Sequence, residues 1–353
     1  MNLLLPSLKI TGGNIEAIKL LDRLEELGDN LSKNKVCVIW RTSNEILVPT
    51  QNLIPLSNWR SKIINAIFQY PVLLINFYMV NRNSNSIWIF THYSTLLFSL
   101  FVKKDKRFFF IQGLEWKFVQ NIFISYILKK FIIRIIGKGK IITANQYLEN
   151  VLTENGLSVH GNIAIWADKK YLSLQSVGRP IDCIMVLRTG KIKRLDLYRD
   201  FIFKAHLEGG LTLAVITPDD AIFQEFRGLV DYCCLRPSMQ EMMDLYSKSK
   251  VFIHLSDTEG FGLPPLEAMG SGCVPLCRDS GGVRVYMENL EQYGLLLPLI
   301  FNLDQIFKKF INLLNNTNDL ELLSKNSIDI FKSGREKDEN EINNFFRGRD
   351  GKK

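Results

Sequence analysis

Short apolar runs recur along this chain, each bounded by polar or turn-forming residues and separated by stretches whose apolar positions return at helical spacing. In the first half the strand candidates are Asn2 to Leu5, Val36 to Trp40, Ser86 to Phe90, Arg107 to Ile111 and Lys140 to Thr143. In the second half they are Asp182 to Leu187, Leu211 to Ile216, Tyr232 to Leu235, Val251 to Leu255 and Cys273 to Leu276. Runs that are apolar throughout, rather than alternating, predict strands covered on both faces, as in parallel α/β sheets. Helical intervals such as Asn14 to Leu27, Met239 to Ser247 and Asp304 to Leu314 fit the same alternation. The pattern predicts two domains, residues 1–175 and 180–330, and a C-terminal segment, 331–353, expected to return to the first domain. Ligands of such sheets bind beyond the carboxyl ends of the strands, where the Gly12-Gly13 loop and the loop holding Glu259 both fall.

Length and composition support this reading. The 353 residues suffice for two cores, and 46% hydrophobic with 23% charged residues describes a globular chain. The six cysteines lie mostly in apolar segments without metal-ligand spacing, which points to a reducing, cytoplasmic setting and to no bound metal. The opening residues read as a strand and loop rather than a signal peptide. The longest apolar stretch, Ile63 to Val80, is interrupted by Asn65, Gln69, Pro71 and Asn76, so burial or interfacial contact is expected rather than a membrane span.

The net charge of +8 is unevenly placed: between Phe101 and Lys140, ten Lys or Arg stand against only Asp105 and Glu115. Beside them Asn121 to Ile136 reads as a strongly apolar helix, a combination suited either to an anionic membrane surface or to a core helix with a solvated basic edge. The same charge without a nucleic-acid-binding motif makes nucleic acid the poorer partner.

The chemistry concentrates at Asp257 to Pro275, DTEGFGLPPLEAMGSGCVP, directly after an apolar strand. Gly260 and Gly262 allow a sharp turn and a close backbone approach to a ligand. Pro264 and Pro265 suit a helix start, which would place Glu267 near an N-terminus with amides available to phosphate oxygens. A carboxylate accepts several hydrogen bonds, so Glu259 and Glu267 can each hold adjacent sugar hydroxyls. A second anion site is expected after Asp182 to Leu187, where Arg188, Lys191, Lys193 and Arg194 would face a polyanion.

The run EGFGLPPLEAMGSGCVP, with seven residues between Glu259 and Glu267, resembles the signature of the retaining glycosyltransferases of family four, and EMMDLYSKSKVFIHL resembles their approach to it. That resemblance implies the GT-B fold, two Rossmann-like domains with parallel sheets facing a central cleft. It also implies transfer of a sugar, with retention, from a nucleotide diphosphate sugar to a saccharide hydroxyl, needing no cofactor or metal. By the same resemblance, Glu267 holds the ribose and Glu259 the donor sugar, while Arg188 and Lys193 clasp the diphosphate. Gly12, Gly13, Gly260, Phe261, Gly262 and Leu263 complete the donor site, and the Gly281-Gly282 loop approaches it. The chain departs from the family at Arg194, where a glycine is usual, and at Arg284-Val285, where Pro-Glu is common.

On the acceptor side His92 matches a family histidine, and Gln112 stands where many relatives have one. Glutamine cannot serve as a base but can donate and accept hydrogen bonds. Glu115 and Trp116 are further acceptor-side candidates. The basic, apolar face suggests a lipid-linked saccharide acceptor at the cytoplasmic face of a membrane, as in surface polysaccharide, lipopolysaccharide or O-antigen synthesis. The alternatives are a GT-B nucleotide-sugar epimerase and a sugar-binding subunit that has lost turnover, the latter motivated by Gln112 and Val285.

Overall fold

The computed structural model describes residues 2–7, 17–18, 35–40, 53–55, 63–81, 86–119, 121–164, 166–172 and 178–347. The chain divides into two compact units, Met1–Ile165 with Asn340–Lys353, and Trp166–Glu339.

In the first unit seven described strands form one sheet: β1 (Asn2–Ser7), β2 (Lys35–Trp40), β3 (Leu53–Pro55), β4 (Trp88–Phe90), β5 (Arg107–Ile111), β6 (Lys140–Thr143) and β7 (Val159–Asn162). Their order is β3-β2-β1-β4-β5-β6-β7, and every pairing is parallel. The uninterrupted apolar strands follow from this arrangement, since Leu3 to Leu5 and Phe108 to Phe110 are buried with no polar face to offer. Phe77, on the helix Ile63–Asn81, stacks edge-on against Trp88 and Phe98 at 4.7 and 5.4 Å and so ties that helix to β4. The buried Asn81 is satisfied by accepting from Trp88 Nε1 (2.7 Å) and donating to the Phe101 carbonyl (2.8 Å). Pro71 does not interrupt Ile63–Asn81. It lies exposed within that helix, which forgoes one backbone hydrogen bond there. Among the described residues no helix is long and apolar enough to cross a membrane.

The second unit has β8 (Ile181–Val186), β9 (Leu213–Thr217), β10 (Tyr232–Leu235), β11 (Ser249–His254), β12 (Val274–Arg278) and β13 (Leu296–Leu297), in the order β10-β9-β8-β11-β12-β13. These pairs are parallel as well. Pro275 is tolerated inside β12 because pairing with β13 begins only at Cys277, so its missing N–H interrupts no ladder there. Helix starts follow local chemistry: Ser238 and Glu241 form a capping box for Met239–Ser247, and Asn302 caps Leu303–Asn315. Phe201 packs on Phe307 and Phe310 at 5.5 and 5.4 Å, holding Leu195–Glu208 against Leu303–Asn315. The long helix Thr317–Arg347 lies so close to Trp166 that a Cβ on Gly334 would come within 2.2 Å of the indole. Trp166 in turn meets Phe261 and Tyr286 edge-on, which supports the loop that carries Glu259.

The apolar pattern predicts ten of these strands and misses β3, β7 and β13. All three are short and lie at or next to sheet edges, and Val-His-Gly-Asn in β7 has no apolar run to signal it.

Candidate functional site

In the second unit the strand order reverses between β8 and β11, so successive strands leave in opposite directions and the loops at their carboxyl ends diverge. Arg188 to Arg194 follow β8, and Asp257 to Gly262 follow β11. The two loops are joined by the Asp257 N–H, which donates to the Ile192 carbonyl at 2.8 Å. After buried Leu187, Arg188 emerges exposed, and Gly190 turns the chain at φ +127°. Arg194 adopts a left-handed φ of 52°, a conformation that explains why glycine suits this place. Its guanidinium donates to Asp196 (2.7 Å) and Asp257 (3.2 Å), and Asp257 also pairs with Arg278.

Lys193 donates to both carboxylate oxygens of Glu259, at 2.7 and 2.9 Å. The expectation of four cations free to face a polyanion is therefore corrected, because two are occupied by acids from the neighbouring loop. Arg188 and Lys191 make no ion pair with the described residues. Burial works to keep the Glu259 carboxyl protonated, but Lys193, His254 and Ser256 outweigh it and hold its pKa below the ordinary carboxylate value. His254, the last residue of β11, is 4% exposed and brings Nε2 to 3.5 Å from Glu259 Oε1. Burial is the main cause of its pKa falling to about 4, so the ring is neutral at physiological pH, and Nε2 has no hydrogen-bond partner.

Two glycine contacts shape the Glu259 loop. Gly262 has φ +81°, and a Cβ there would lie 2.8 Å from both Tyr286 Oη and Val283 Cγ1. Tyr286 Oη donates to the Gly262 carbonyl at 2.5 Å. The Gly281-Gly282 loop lies directly on this turn: Glu259 N–H donates to the Ser280 carbonyl at 3.0 Å, and a Cβ on Gly282 would sit 2.5 Å from Gly260 O. Arg284 pairs with Asp279 at 2.6 Å.

Glu267 needs a second correction. The helix spans Leu263–Gly270 after the left-handed Gly262, with Pro264 and Pro265 at its start as expected, but its first turn holds no acid. Glu267 lies beyond that turn, with Pro264 and Pro265 leaving Leu263 as the amide at the helix entrance. The Tyr246 hydroxyl donates to Glu267 Oε2 at 3.4 Å. Burial raises the pKa of the Tyr171 and Tyr246 hydroxyls, with the Glu267 charge adding to it, and the charge of Arg188 acts on Tyr246 in the opposite sense. Arg188 and Glu267 thus act electrostatically on the same tyrosine.

In the first unit His92, Gln112, Glu115 and Trp116 line one recess at the carboxyl ends of β4 and β5, of about 20 Å³, room for a single water. His92 caps the 3₁₀ helix Tyr93–Phe101, its Nδ1 accepting from Ser94 N–H at 3.3 Å. That leaves Nε2 facing Glu115 Oε1 at 3.6 Å. Burial lowers His92 to about 4 and raises Glu115 to about 8, against a partly opposing hydrogen bond from Tyr93 N–H at 2.7 Å. Near pH 7 the pair is neutral. Gln112 Nε2 is buried there without a hydrogen-bond partner, and Trp116 is a buried wall of the recess. Gly12 and Gly13 lie outside the described residues.

Sequence reasoning did not single out His254, Tyr246 or Tyr286. A histidine inside the otherwise apolar run Val251 to Leu255 was a signal for the first, whereas the tyrosines reach the site only through tertiary packing. Among the described residues no group of three or more His, Cys, Asp or Glu is placed to hold a metal ion.

The family described as "Glycosyl transferases group 1" matches residues 228–329, the part of the second unit that holds Glu259 and Glu267. A Sulfolobus islandicus filamentous virus protein described as glycosyltransferase 41 is 48% identical over 63 residues, which is 18% of each chain. Among solved structures, sucrose-phosphate synthase of Thermosynechococcus elongatus superposes with a TM-score of 0.76 over 98% of both chains at 14% identity. WaaG, described as a glycosyltransferase involved in lipopolysaccharide biosynthesis, superposes at 0.67 over 96% of this chain and 99% of its own, at 11% identity. An E. coli trehalose-6-phosphate protein bound with UDP-2-fluoro glucose does so at 0.62, over 98% and 97%, at 13% identity. The fold is of GT-B type, with two Rossmann-like parallel-sheet units as in these structures.

Proposed function

We propose that this protein is a glycosyltransferase that moves a sugar from a nucleotide diphosphate sugar to a saccharide hydroxyl with retention. The observation that carries the reading is the gathering of Arg188, Lys193, Glu259 and Glu267 at the β8/β11 reversal of the unit in which the family match falls. In this reading Glu267 holds the ribose hydroxyls, Glu259 the donor sugar and Arg188 the diphosphate. Lys193 joins Arg188 once it leaves Glu259. Positive groups fixed beside the departing diphosphate stabilise the charge that develops on it, as a divalent cation would. Gly260 to Leu263 let the backbone approach the sugar closely.

The acceptor we infer is a lipid-linked saccharide used in surface polysaccharide or lipopolysaccharide synthesis at the cytoplasmic face of a membrane. The helix Ile122–Ile136 supports it: Ile122 and Phe123 are 87% and 71% exposed, with Ile124, Tyr126 and Ile127 beside them and Lys130 and Arg134 on the same helix. Exposed apolar side chains flanked by basic ones suit the interface of an anionic bilayer. His92, Gln112, Glu115 and Trp116 would contact the acceptor.

The test supplies nucleotide-sugars with and without membrane-extracted acceptor and measures nucleotide diphosphate release. Release that requires the acceptor, together with sugar appearing on it, is the expected result. Donor binding with no turnover across acceptors would leave a sugar-binding subunit, and interconversion of nucleotide-sugars without release would leave an epimerase. Sedimentation with anionic vesicles should be salt-sensitive, and indifference to both vesicles and salt would remove the membrane part.

A further inference from the structure

The ion pair between Lys193 and Glu259 poses a problem for donor binding. The ammonium of Lys193 donates to both oxygens of Glu259, so each group occupies what the other would offer a ligand. A diphosphate reaching the Arg188 loop carries more charge than one carboxylate and competes for that ammonium. Once Lys193 leaves, Glu259 stands in a site where burial favours the protonated form, and a protonated carboxyl is a weaker acceptor for a sugar hydroxyl.

His254 is placed to prevent this. It sits on strand β11 rather than on a loop, stacked on Phe252 with centroids 6.5 Å apart. Its buried Nε2 has no hydrogen-bond partner, an uncommon state for an interior polar atom. It faces Glu259 Oε1 at 3.5 Å, just beyond hydrogen-bond length, and a carboxylate at that place favours the tautomer with its proton on Nε2. The other groups acting on Glu259 are the Ser256, Tyr198 and Tyr286 hydroxyls and the Cys277 thiol, none of them a cation.

We infer that His254 is the positioning residue of Glu259: its Nε2–H takes Oε1 when the ligand's diphosphate draws Lys193 away, leaving Oε2 ionised and aimed at a donor sugar hydroxyl. This rests on the transferase reading above. It explains why a neutral histidine is kept unsatisfied in the core of a charged site, and it makes His254 a determinant of recognition of the sugar rather than of the nucleotide.

The test is calorimetric binding to the full-length protein of UDP-, GDP-, ADP- and dTDP-glucose, followed by comparison of the tightest binder with its bare nucleoside diphosphate. The change in the ratio of the two Kd values between wild type and variant reads the sugar contacts, since the extra terminal charge of the bare diphosphate is common to both proteins. His254→Leu should lower that ratio about tenfold while leaving the bare diphosphate within about twofold, the size of one hydrogen bond to a charged group. His254→Gln keeps an N–H at the same reach and should restore most of the ratio. If His254→Leu melts too low for binding, His254→Phe fills the same space without the donor. An unchanged ratio in the Leu and Phe variants, or equal loss in Gln and Leu, overturns the assignment while the transferase reading stands. A wild-type chain that binds none of the four nucleotide-sugars overturns both.

Discussion

At the carboxyl ends of β8 and β11 the Glu259 carboxyl is held ionised by Lys193, whereas at the ends of β4 and β5 burial pushes Glu115 up to about 8. Both units place a histidine beside the acid, His254 at 3.5 Å and His92 at 3.6 Å, and in both burial keeps the ring neutral. The difference is the cation. The second unit supplies Lys193 from the preceding loop, and the first supplies only a backbone N–H, from Tyr93. The same sheet topology thus yields a charged site in one unit and a neutral one in the other.

The largest expected effect comes from the backbone beneath the charged site. Gly282→Val would drive a side chain into Gly260 O, 2.5 Å from the Cβ position, so the Glu259 loop must move. A loss of about 2–4 kcal/mol in urea unfolding is expected, as for overpacking against backbone, together with loss of nucleotide-sugar binding. Next, Arg188→Ala should lower turnover by about 2–4 kcal/mol of transition-state stabilisation, the scale of a deleted oxyanion contact, with the fold intact by circular dichroism. Near-normal turnover would remove Arg188 from the reaction.

Lys193→Met should narrow the difference between the two units. Lys193 keeps 26% of its side chain exposed, so we expect about 1–3 kcal/mol at neutral pH, below the cost of breaking a fully buried pair. The pH dependence weakens with it. In the wild type, Glu259 has a depressed pKa and contributes stability that is present above the ordinary carboxylate range and lost as pH falls through its folded value. Without Lys193 only His254 and Ser256 oppose burial, so the depression of the Glu259 pKa and the loss of stability at acid pH both shrink. Melting temperatures across pH 4–8 measure this.

The smallest effect tests the neutral site. Glu115, raised to about 8, contributes stability that is fully present below the ordinary carboxylate value near 4.5 and lost as pH rises toward 8. His92, lowered to about 4, works in the opposite sense between about 4 and 6.5, so the Glu115 effect stands alone only above that. Glu115→Gln should flatten the fall in melting temperature between pH 6.5 and 8. An unaltered slope would mean that Glu115 is ionised in the folded chain.

Much of this was legible in the chain because parallel strands covered on both faces must be apolar throughout. The strands ending at Val186 and His254, and the glycines after the latter, were marked by such runs. The place of Glu267 beyond the first turn of its helix was not, since two prolines fit several positions of a first turn and the left-handed Gly262 decided among them. The pairing of Lys193 with Glu259 joins residues 66 apart and depends on which strands are neighbours, which periodicity does not encode. Glu115 reaches Tyr93 N–H across 22 residues for the same reason, so its raised pKa had no local signal.

The most direct measurement is protection against thermal unfolding by a panel of nucleotide-sugars, for the wild type and for Glu267→Gln. Ligand that binds only the folded state raises the melting temperature by mass action. The account predicts a rise with at least one nucleotide-sugar, a smaller rise with its free sugar phosphate, and loss of most of the protection in Glu267→Gln. No rise with any nucleotide-sugar, or equal protection of both proteins, would contradict it.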